Sequence, residues 1–383
     1  MSDTLNLLKQ LVRRRSVTPV DAGCMASIQD RLCIAGFDCE ILNSGPDSHR
    51  VTNLWAIRRG TRGREGKVLA FVGHTDVVPH GPLEHWTTDP FEPCERGGRL
   101  YGRGVADMKA SIAAFVVAVE AFVAQSTDHR DSVAFMLTSD EEGPGTDGTI
   151  RVVEMLRRIG QQIDYCLVGE PTSENRLGDT VKNGRRGSLS ATLKVSGVQG
   201  HVAYPSLADN PIHRFAPALQ ALLSEEWDTG NEYFSPTRLQ ISNMHAGSGA
   251  TNVIPGELTL ALNFRYGTAS TADSLTSRVD RILRRHLDRY ELAWQHGAHP
   301  FLTEKGRLLD AVTSSIQTVI GLTPVCSTSG GTSDGRFLAT MGAEVVEFGP
   351  PNGTIHKVDE FVDLADVCTL TQVYGDILER LVR

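Results

Sequence analysis

The chain has 383 residues, of which 40% are hydrophobic and 22% are charged, proportions typical of a globular enzyme with room for two domains. A formal net charge of −8 excludes a broad basic surface for nucleic acid, and the longest apolar stretch, residues 111–124, is too short to span a membrane. Seven cysteines without a CxxC pair indicate buried thiols rather than a disulfide framework, so we expect a cytoplasmic protein.

The N-terminal segment predicts an amphipathic helix, with Leu5, Leu8 and Val12 on one face. Its arginines follow the apolar positions, which is not the arrangement of a signal peptide. Beyond it, strands are predicted at 68–73, 132–138 and 163–168, and helices lie between them at 108–124 and 149–159. This alternation is typical of an α/β layer in which helices cover a sheet.

The pattern changes after residue 180. Residues 188–197 and 257–265 alternate between apolar and polar side chains, which predicts strands of an antiparallel sheet with one buried face. Helices are predicted among them at 211–224 and 271–288. We therefore predict an inserted α+β domain over residues 181–295.

The α/β character then returns, with a helix at 306–319, a strand at 344–348 and a final helix at 364–381. We predict that residues 1–180 and 296–383 together form one α/β domain, with a mixed sheet covered by helices.

Acidic and imidazole side chains follow the predicted strands of the α/β domain, at the point where each strand ends. His74 and Asp76 follow the first strand, Asp140, Glu141 and Glu142 follow the second, and Glu170 follows the third. His356 lies a few residues beyond the strand at 344–348, and Asp107 lies just before the helix at 108–124. Ligand sites in open α/β sheets form at the carboxyl ends of strands, so we expect these side chains to converge. Gathered carboxylates would repel one another, and divalent cations would remove that cost. A mixed set of histidine and carboxylate ligands favours Zn²⁺, with Co²⁺ or Mn²⁺ as alternatives.

Charge balance favours two ions over one. The carboxylates of Asp107, Glu142 and Glu170, together with one hydroxide, carry four negative charges, which two divalent ions neutralise. Asp76 lies two residues after His74 and fits the role of orienting that imidazole. The adjacent acids Glu141 and Glu142 allow one to bind metal while its neighbour handles protons.

Two apparent motifs do not fit their usual functions. "GRGVAD" (102–107) begins like a dinucleotide-binding loop, but Asp107 would repel a pyrophosphate. "GTSDG" (331–335) matches a serine nucleophile elbow in form, but no apolar strand precedes it. A glycine-rich loop that presents N–H groups and hydroxyls to a substrate carboxylate is the better interpretation.

The motifs "GHTDVVP", "YGRGVADMKAS", "TSDEEG" and "GEPT" resemble those of the di-zinc aminoacylases and carboxypeptidases. The further motifs "QGHVAYP", "SGGTSDGRF" and "NGTIHKVDE" extend the resemblance to residue 360, nearly the whole chain.

The resemblance implies two Zn²⁺ per subunit, with Co²⁺ possible in the second site, and a role for each ligand. It implies His74 and Glu170 on one ion, Glu142 and His356 on the other, and Asp107 as a bridge followed by a cis peptide bond. In this pattern Asp76 orients His74, and Glu141 is the general acid and base.

The resemblance also implies a small-molecule substrate and a homodimer whose interface is the inserted domain, with no nucleic-acid or membrane partner. His201 and Asn252 would reach into the partner's active site. Residues similar to those that hold the substrate's carboxylates are Arg186, Arg265, Gly331, Thr332 and Asn352. The activity implied is hydrolysis of N-succinyl-LL-2,6-diaminopimelate, in lysine and diaminopimelate biosynthesis. A related deacylase acting on acetylornithine, a peptidase, or a non-catalytic metal-binding scaffold of the same fold are the alternatives.

Overall fold

The computed structural model describes residues 2–383. Its α-helices over these residues are α1 Asp3–Val12, α2 Cys24–Ile34, α3 Ala110–Gln125, α4 Thr149–Arg158, α5 Pro211–Ser224, α6 Ala272–His286, α7 Arg307–Ile320, α8 Gly335–Ala339 and α9 Leu364–Val382. Its strands are β1 Asp38–Ser44, β2 Val51–Arg58, β3 Val68–His74, β4 Cys94–Arg96, β5 Arg99–Tyr101, β6 Ser132–Thr138, β7 Tyr165–Val168, β8 Thr180–Lys182, β9 Gly184–Arg185, β10 Gly187–Ser196, β11 Gly200–His201, β12 Arg238–Ala246, β13 Val253–Ile254, β14 Glu257–Tyr266, β15 Tyr290–Ala298, β16 Phe301–Leu302, β17 Val325–Ser327, β18 Glu344–Glu347 and β19 Phe361–Asp363.

The described residues divide into two compact units. Residues 2–184, 302–327 and 333–383 form the first unit, and residues 185–301 and 328–332 form the second. The chain thus passes from one unit to the other after residues 184 and 301. The sequence pattern predicted domain boundaries after residues 180 and 295. The catalytic and dimerisation roles of these segments stay a prediction.

The first unit contains a mixed sheet with the strand order β1-β2-β6-β3-β7-β18-β8-β17. The four central strands β6, β3, β7 and β18 run parallel, whereas β1 and β2 pair antiparallel. Parallel strands are buried on both faces and consist of continuous apolar runs, as residues 68–74 and 132–138 do here. The predicted mixed α/β sheet is therefore confirmed.

The core of the first unit is formed around α3 and α9, which pack on each other and on the sheet. α3 is apolar on nearly all sides, because both the sheet and neighbouring helices cover it. Phe71 of β3, Phe115 of α3 and Tyr374 of α9 stack with centroid distances of 3.8 and 4.0 Å. The Tyr374 hydroxyl donates a hydrogen bond of 2.6 Å to the carbonyl of Phe348, directly after β18. This packing holds the carboxyl ends of the central strands in place.

The second unit is an α+β structure, as the alternating sequence predicts. Its antiparallel sheet has the order β12-β14-β10-β15. The apolar residues Leu258, Leu260, Leu262 and Phe264 of β14 are buried, and the residues between them are more exposed. α5 and α6 cover this apolar face.

No helix within residues 2–383 combines the length and the apolar character needed to cross a membrane. The seven cysteines, all in the described part of the chain, are free thiols.

The buried His129 is held as a neutral imidazole. Its Nδ1 lies 2.7 Å from the carbonyl of Asp131, and Arg58 donates to its Nε2 over 3.2 Å. Burial, aided by the charge of Arg58 and opposed by the bond to Asp131, lowers the pKa of His129 below its ordinary value. Protonation would place two donors and a positive charge where Nε2 now accepts a bond.

We therefore predict that His129 makes the first unit less stable as the pH falls. Below the unfolded-state pKa of about 6.5, His129 binds a proton in the unfolded chain. In the folded chain His129 stays neutral until the pH falls to its own, lower pKa. The free energy of unfolding should decrease by up to about 1.4 kcal/mol per pH unit in this window because of His129. Urea unfolding of wild type and His129→Gln between pH 7 and 5 measures this slope.

The slope should be smaller in His129→Gln, which has no group that titrates there. Equal slopes for the two proteins would show that another group causes the acid sensitivity.

Candidate active site

The candidate site lies at the carboxyl edge of the four parallel strands of the first unit. β3 ends at His74, and β6, β7 and β18 end shortly before the loops that carry Glu141 and Glu142, Glu170, and His356. Asp107 comes from an irregular helical turn, Val105–Lys109, that leads into α3. Parallel strands bring their carboxyl ends to one edge, so residues more than two hundred positions apart meet here.

Asp107 lies at the centre of the cluster, between two histidines. Its Oδ1 is 3.2 Å from Nε2 of His74, and its Oδ2 is 3.2 Å from Nε2 of His356. Glu170 Oε1 lies 3.7 Å from Nε2 of His74, and Glu142 Oε1 lies 2.8 Å from Nε2 of His356. The arrangement forms two neighbouring groups of ligand atoms that share one carboxylate.

The backbone around Asp107 has the predicted geometry. The peptide bond between Asp107 and Met108 is cis, as the resemblance implied. His74 is fully buried, whereas the side chain of His356 is 48% exposed, so the cluster opens to solvent on the His356 side.

The position of Asp76 differs in detail from the prediction. Nδ1 of His74 lies 2.9 Å from the main-chain oxygen of Asp76, while the Asp76 carboxylate is 3.6 Å from that nitrogen. The carboxylate instead accepts the backbone N–H groups of Glu141, over 3.4 Å, and Glu142, over 3.1 Å. Asp76 therefore orients the His74 ring through its main-chain oxygen. Its side chain holds the turn of Glu141 and Glu142.

The electrostatics of the cluster reflect an excess of negative charge. Burial and the charges of Asp107 and Glu141 raise the pKa of Glu170 well above its ordinary value. Burial raises the pKa of Glu141 to about 8, with further contributions from Asp334 and Glu142. A carboxyl group whose ionised form is this disfavoured is stabilised by a nearby cation.

The pKa values of the two histidines are raised as well, which for an imidazole favours the charged form. Hydrogen bonds to Asp107 and Glu142 raise the pKa of His356 to about 10. Burial alone would lower the pKa of His74, but Asp107, Asp76 and the nearby glutamates raise it well above its usual range. The hydrogen bonds of both histidines hold the pKa of Asp107 below its usual range although burial opposes this. The carboxylates thus attract positive charge to both imidazoles.

The donor set fits divalent metal ions. Ligand atoms of His74, Asp107 and Glu142 lie within 4.8 Å of one another, and so do those of His74, Glu141 and Glu170. Imidazole nitrogens mixed with carboxylate oxygens are ligands of zinc and its neighbours in the first transition row. Nδ1 of His74 faces the Asp76 carbonyl, so Nε2, which faces Asp107 and Glu170, is the nitrogen that would ligate a metal ion.

The remaining sequence-predicted residues are distributed over both units. Asn352 belongs to the first unit, where its N–H donates to the carbonyl of Ser173 over 2.9 Å. His201 and Asn252 are exposed residues of the second unit. His201 ends β11, and Asn252 directly precedes β13, which pairs with β11; Val202 N–H donates to the Asn252 carbonyl.

The other predicted substrate residues also lie in the second unit: Arg186, Arg265, Gly331 and Thr332. Nε of Arg186 and Oγ1 of Thr332 are buried without a hydrogen-bond partner among the described residues. Buried polar atoms of this kind are expected to have a partner in the functional state.

Sequence reasoning assigned no role to two residues, Asp140 and Glu360, that support the cluster without belonging to it. Asp140 is fully buried, accepts the N–H of Asp147 over 3.1 Å and lies 3.3 Å from Nε2 of His49, which fixes the turn after β6. Glu360 is also fully buried and accepts the N–H of Asp107 over 3.2 Å. The signal for both was an acidic residue close to a predicted ligand in sequence, but such residues are more often solvent-exposed.

The sequence matches peptidase family M20/M25/M40 over residues 70–380. A succinyl-diaminopimelate desuccinylase from Cupriavidus necator is 59% identical over 382 residues, covering 100% of both chains.

Two solved structures share the fold at low sequence identity. A family M20 metallo-carboxypeptidase from Sulfolobus solfataricus superposes with a TM-score of 0.80 at 16% identity, covering 100% of this chain and 99% of that one. A dinuclear metal-binding M20 peptidase from Bacillus subtilis gives a TM-score of 0.70 at 15% identity, covering 98% of this chain and 96% of that one. With the family matched over most of the sequence and a relative 59% identical along its whole length, this chain belongs to peptidase family M20/M25/M40.

Proposed function

We propose that the protein hydrolyses the amide bond of N-succinyl-LL-2,6-diaminopimelate, releasing succinate and LL-2,6-diaminopimelate for lysine and diaminopimelate biosynthesis. The observation that carries this proposal is the 59% identity, over the full length of both chains, to a succinyl-diaminopimelate desuccinylase. The clustered acids and histidines supply the chemistry that such a reaction needs. The free cysteines are consistent with a reducing compartment, and we retain the cytoplasm as the proposed location.

We assign two divalent ions to the cluster, and the donor set favours Zn²⁺, with Co²⁺ possible in the second site. His74 and Glu170 would hold the first ion, Glu142 and His356 would hold the second, and Asp107 would contribute to both. The equal distances of 3.2 Å from the two Asp107 oxygens to the two histidines support this shared role. The metallo-carboxypeptidase and the dinuclear metal-binding peptidase that share the fold support the proposal that this chain binds metal ions.

When bound, the two ions polarise the amide carbonyl and make a water molecule acidic enough to act as the nucleophile near neutral pH. Glu141 lies within 4.8 Å of ligand atoms of His74 and Glu170, which supports a role beside the reacting water. Its carboxylate takes the water proton as the new C–O bond forms, and gives that proton to the amine nitrogen as the C–N bond breaks. Asp76 holds the backbone of Glu141 and so limits where this carboxylate can reach.

The second unit is proposed to provide substrate recognition and the homodimer interface. The cations of Arg186 and Arg265 and the loop containing Gly331 and Thr332 suit the carboxylates of a succinylated amino acid. The buried, unpartnered Arg186 Nε and Thr332 Oγ1 support this assignment. Asn352 of the first unit is proposed to join them.

His201 and Asn252 are proposed to act on the partner's site. Their exposure in the single chain, at the paired strands β11 and β13, supports this role. His201 of the partner subunit then donates a hydrogen bond to the oxyanion that forms during attack, an interaction worth about 10²–10³ in turnover in enzymes of known mechanism.

The substrate assignment predicts selectivity for the succinyl group. Release of the amine should be measured from N-succinyl-LL-2,6-diaminopimelate, its N-acetyl analogue and N-acetylornithine. We expect kcat/KM for the acetyl compounds to be lower by about 10² or more, because the cations that pair with the succinyl carboxylate would be left unpaired. Chelation should abolish turnover, and added Zn²⁺ should restore it.

Equal or faster turnover of N-acetylornithine would replace this proposal by the related deacylase. Absence of turnover on all three substrates in the zinc-loaded protein would favour the non-catalytic scaffold.

Glu141→Gln should retain both metal ions but lose about 10²–10⁴ in kcat, because the amide cannot carry the proton from water to the leaving amine. Metal per chain by atomic absorption and kcat on the succinylated substrate are the two measurements. Glu154→Gln is the matched control, since it changes a surface glutamate of α4 that is 49% exposed and pairs with Arg151. If zinc content falls together with activity, Glu141 is a metal ligand instead.

A shared active site predicts complementation between two inactive variants. Mixing equal amounts of His201→Ala and Glu141→Gln homodimers should restore about a quarter of wild-type activity, because half of the redistributed dimers are hybrids and each hybrid has one intact site. Mass spectrometry of intact dimers confirms subunit exchange. If exchanged hybrids remain inactive, His201 acts within its own chain.

A further inference from the structure

Glu360 is a carboxylate buried beneath the candidate metal cluster. Its side chain has no solvent exposure, and its Oε2 accepts bonds from Nη1 of Arg103, over 2.7 Å, and from the N–H of Gly104, over 3.0 Å. Its Oε1 accepts the N–H groups of Ala106, over 2.9 Å, and Asp107, over 3.2 Å. One side chain therefore satisfies three backbone N–H donors of the segment that carries Asp107.

The segment from residue 102 to residue 107 needs these bonds because it is irregular. Gly104 has a φ of +78°, and Asp107 has non-helical torsions within the turn. Its N–H groups cannot all find partners in a regular helix, and a buried unpaired N–H is costly. The N–H of Gly102 also donates to the main-chain carbonyl of Glu360, over 3.0 Å. Residue 360 thus anchors the Asp107 segment through both its side chain and its backbone.

Glu360 also belongs to the loop that carries His356. Thr354 Oγ1 closes this loop by bonding the carbonyl of Phe361, over 2.9 Å, and its N–H, over 3.2 Å. Within the loop, His356 and Asp359 have left-handed φ values of 60° and 55°, a conformation that surrounding contacts must maintain in non-glycine residues. The side chain of Glu360, together with the main-chain bond from Gly102 and the pairing of β19 with β5, ties this closed loop to the Asp107 segment.

Arg103 completes the anchor. It is 2% exposed, pairs with Glu360, and places its guanidinium 5.1 Å from the centre of the Trp86 ring. A buried carboxylate with a paired cation and three N–H donors is held far more rigidly than a surface ion pair.

We propose that Glu360 is a positioning residue that sets the separation of Asp107 and His356, and with it the affinity for the ion that these two residues share. The inference rests on the proposed metal centre but assigns a role to a residue that touches neither metal nor substrate. His356 Nε2 and Asp107 Oδ2 lie 3.2 Å apart. Glu360 belongs to the loop of the first residue and accepts the backbone N–H of the second. Without the anchor, the distance between Asp107 and His356 is no longer fixed, and the two ligands bind their shared ion less tightly.

The test is zinc binding by equilibrium dialysis to chelator-treated, full-length Glu360→Gln, well below its unfolding temperature. The glutamine amide group would face the donors on Arg103 and Gly104, so half of the anchor is lost while the shape is kept. We expect one of the two Zn²⁺ ions, the one shared by Asp107 and His356, to bind about 10- to 100-fold less tightly than in wild type. Asp131→Asn is the matched control: Asp131 is 6% exposed and accepts the N–H of Lys67 over 3.0 Å at the opposite end of β3.

Asp131→Asn should lose stability without losing zinc affinity, which separates positioning from general stability. Glu360→Asp provides a second variant if Glu360→Gln does not fold, because it keeps the charge beside Arg103 but withdraws both oxygens from the backbone donors; we expect the same loss of affinity. Unchanged affinity for two ions in the folded Glu360 variants would overturn this inference alone. A wild-type protein that binds no zinc would overturn the proposed metal centre itself.

Discussion

The structure depends on one buried carboxylate that faces two imidazoles. Asp107 directs one oxygen to His74 and the other to His356, each over 3.2 Å, and the remaining acids surround this axis. Burying so many acids is unfavourable, as the raised pKa values of Glu141 and Glu170 show. The surrounding fold must therefore hold these groups together against their mutual repulsion, and a pair of divalent ions is the natural means of neutralising them.

The parallel sheet meets this demand because its central strands deliver four loops to one edge. Aromatic packing between β3, α3 and α9 fixes those strands from below. Hydrogen bonds from buried acids then fix the loops: Asp76 holds the turn of Glu141 and Glu142, Asp140 holds the rest of that loop, and Glu360 holds the segment of Asp107. Each of these acids is directed at backbone donors rather than at solvent. Rigid loops of this kind place ligand atoms more accurately than side-chain packing alone.

Fold and activity rest on different comparisons. The Sulfolobus and Bacillus structures share the architecture at 16% and 15% identity, and such a likeness specifies the fold but not the substrate. The substrate proposal depends on the full-length relative at 59% identity and on the residues of the second unit, including Arg186 and Thr332, whose buried polar atoms have no partner among the described residues.

The sequence by itself determined the types and approximate positions of many elements. The apolar run of β3 and the strict alternation of β14 reflect burial on two faces and on one face, and burial is set residue by residue along the strand. It also determined which residue types end the parallel strands, and hence the metal-binding interpretation. α2, β1 and β2 were not predicted, because their short, mixed patterns contain no clear period. Only the tertiary structure decided that the main-chain oxygen of Asp76 lies nearer to His74 Nδ1, at 2.9 Å, than its carboxylate does, at 3.6 Å. Only the tertiary structure, too, brings Glu360 to the N–H of Asp107 across 253 positions. Such contacts depend on strand order and loop paths, which bring together residues that are far apart in the sequence. Local sequence patterns do not predict these contacts.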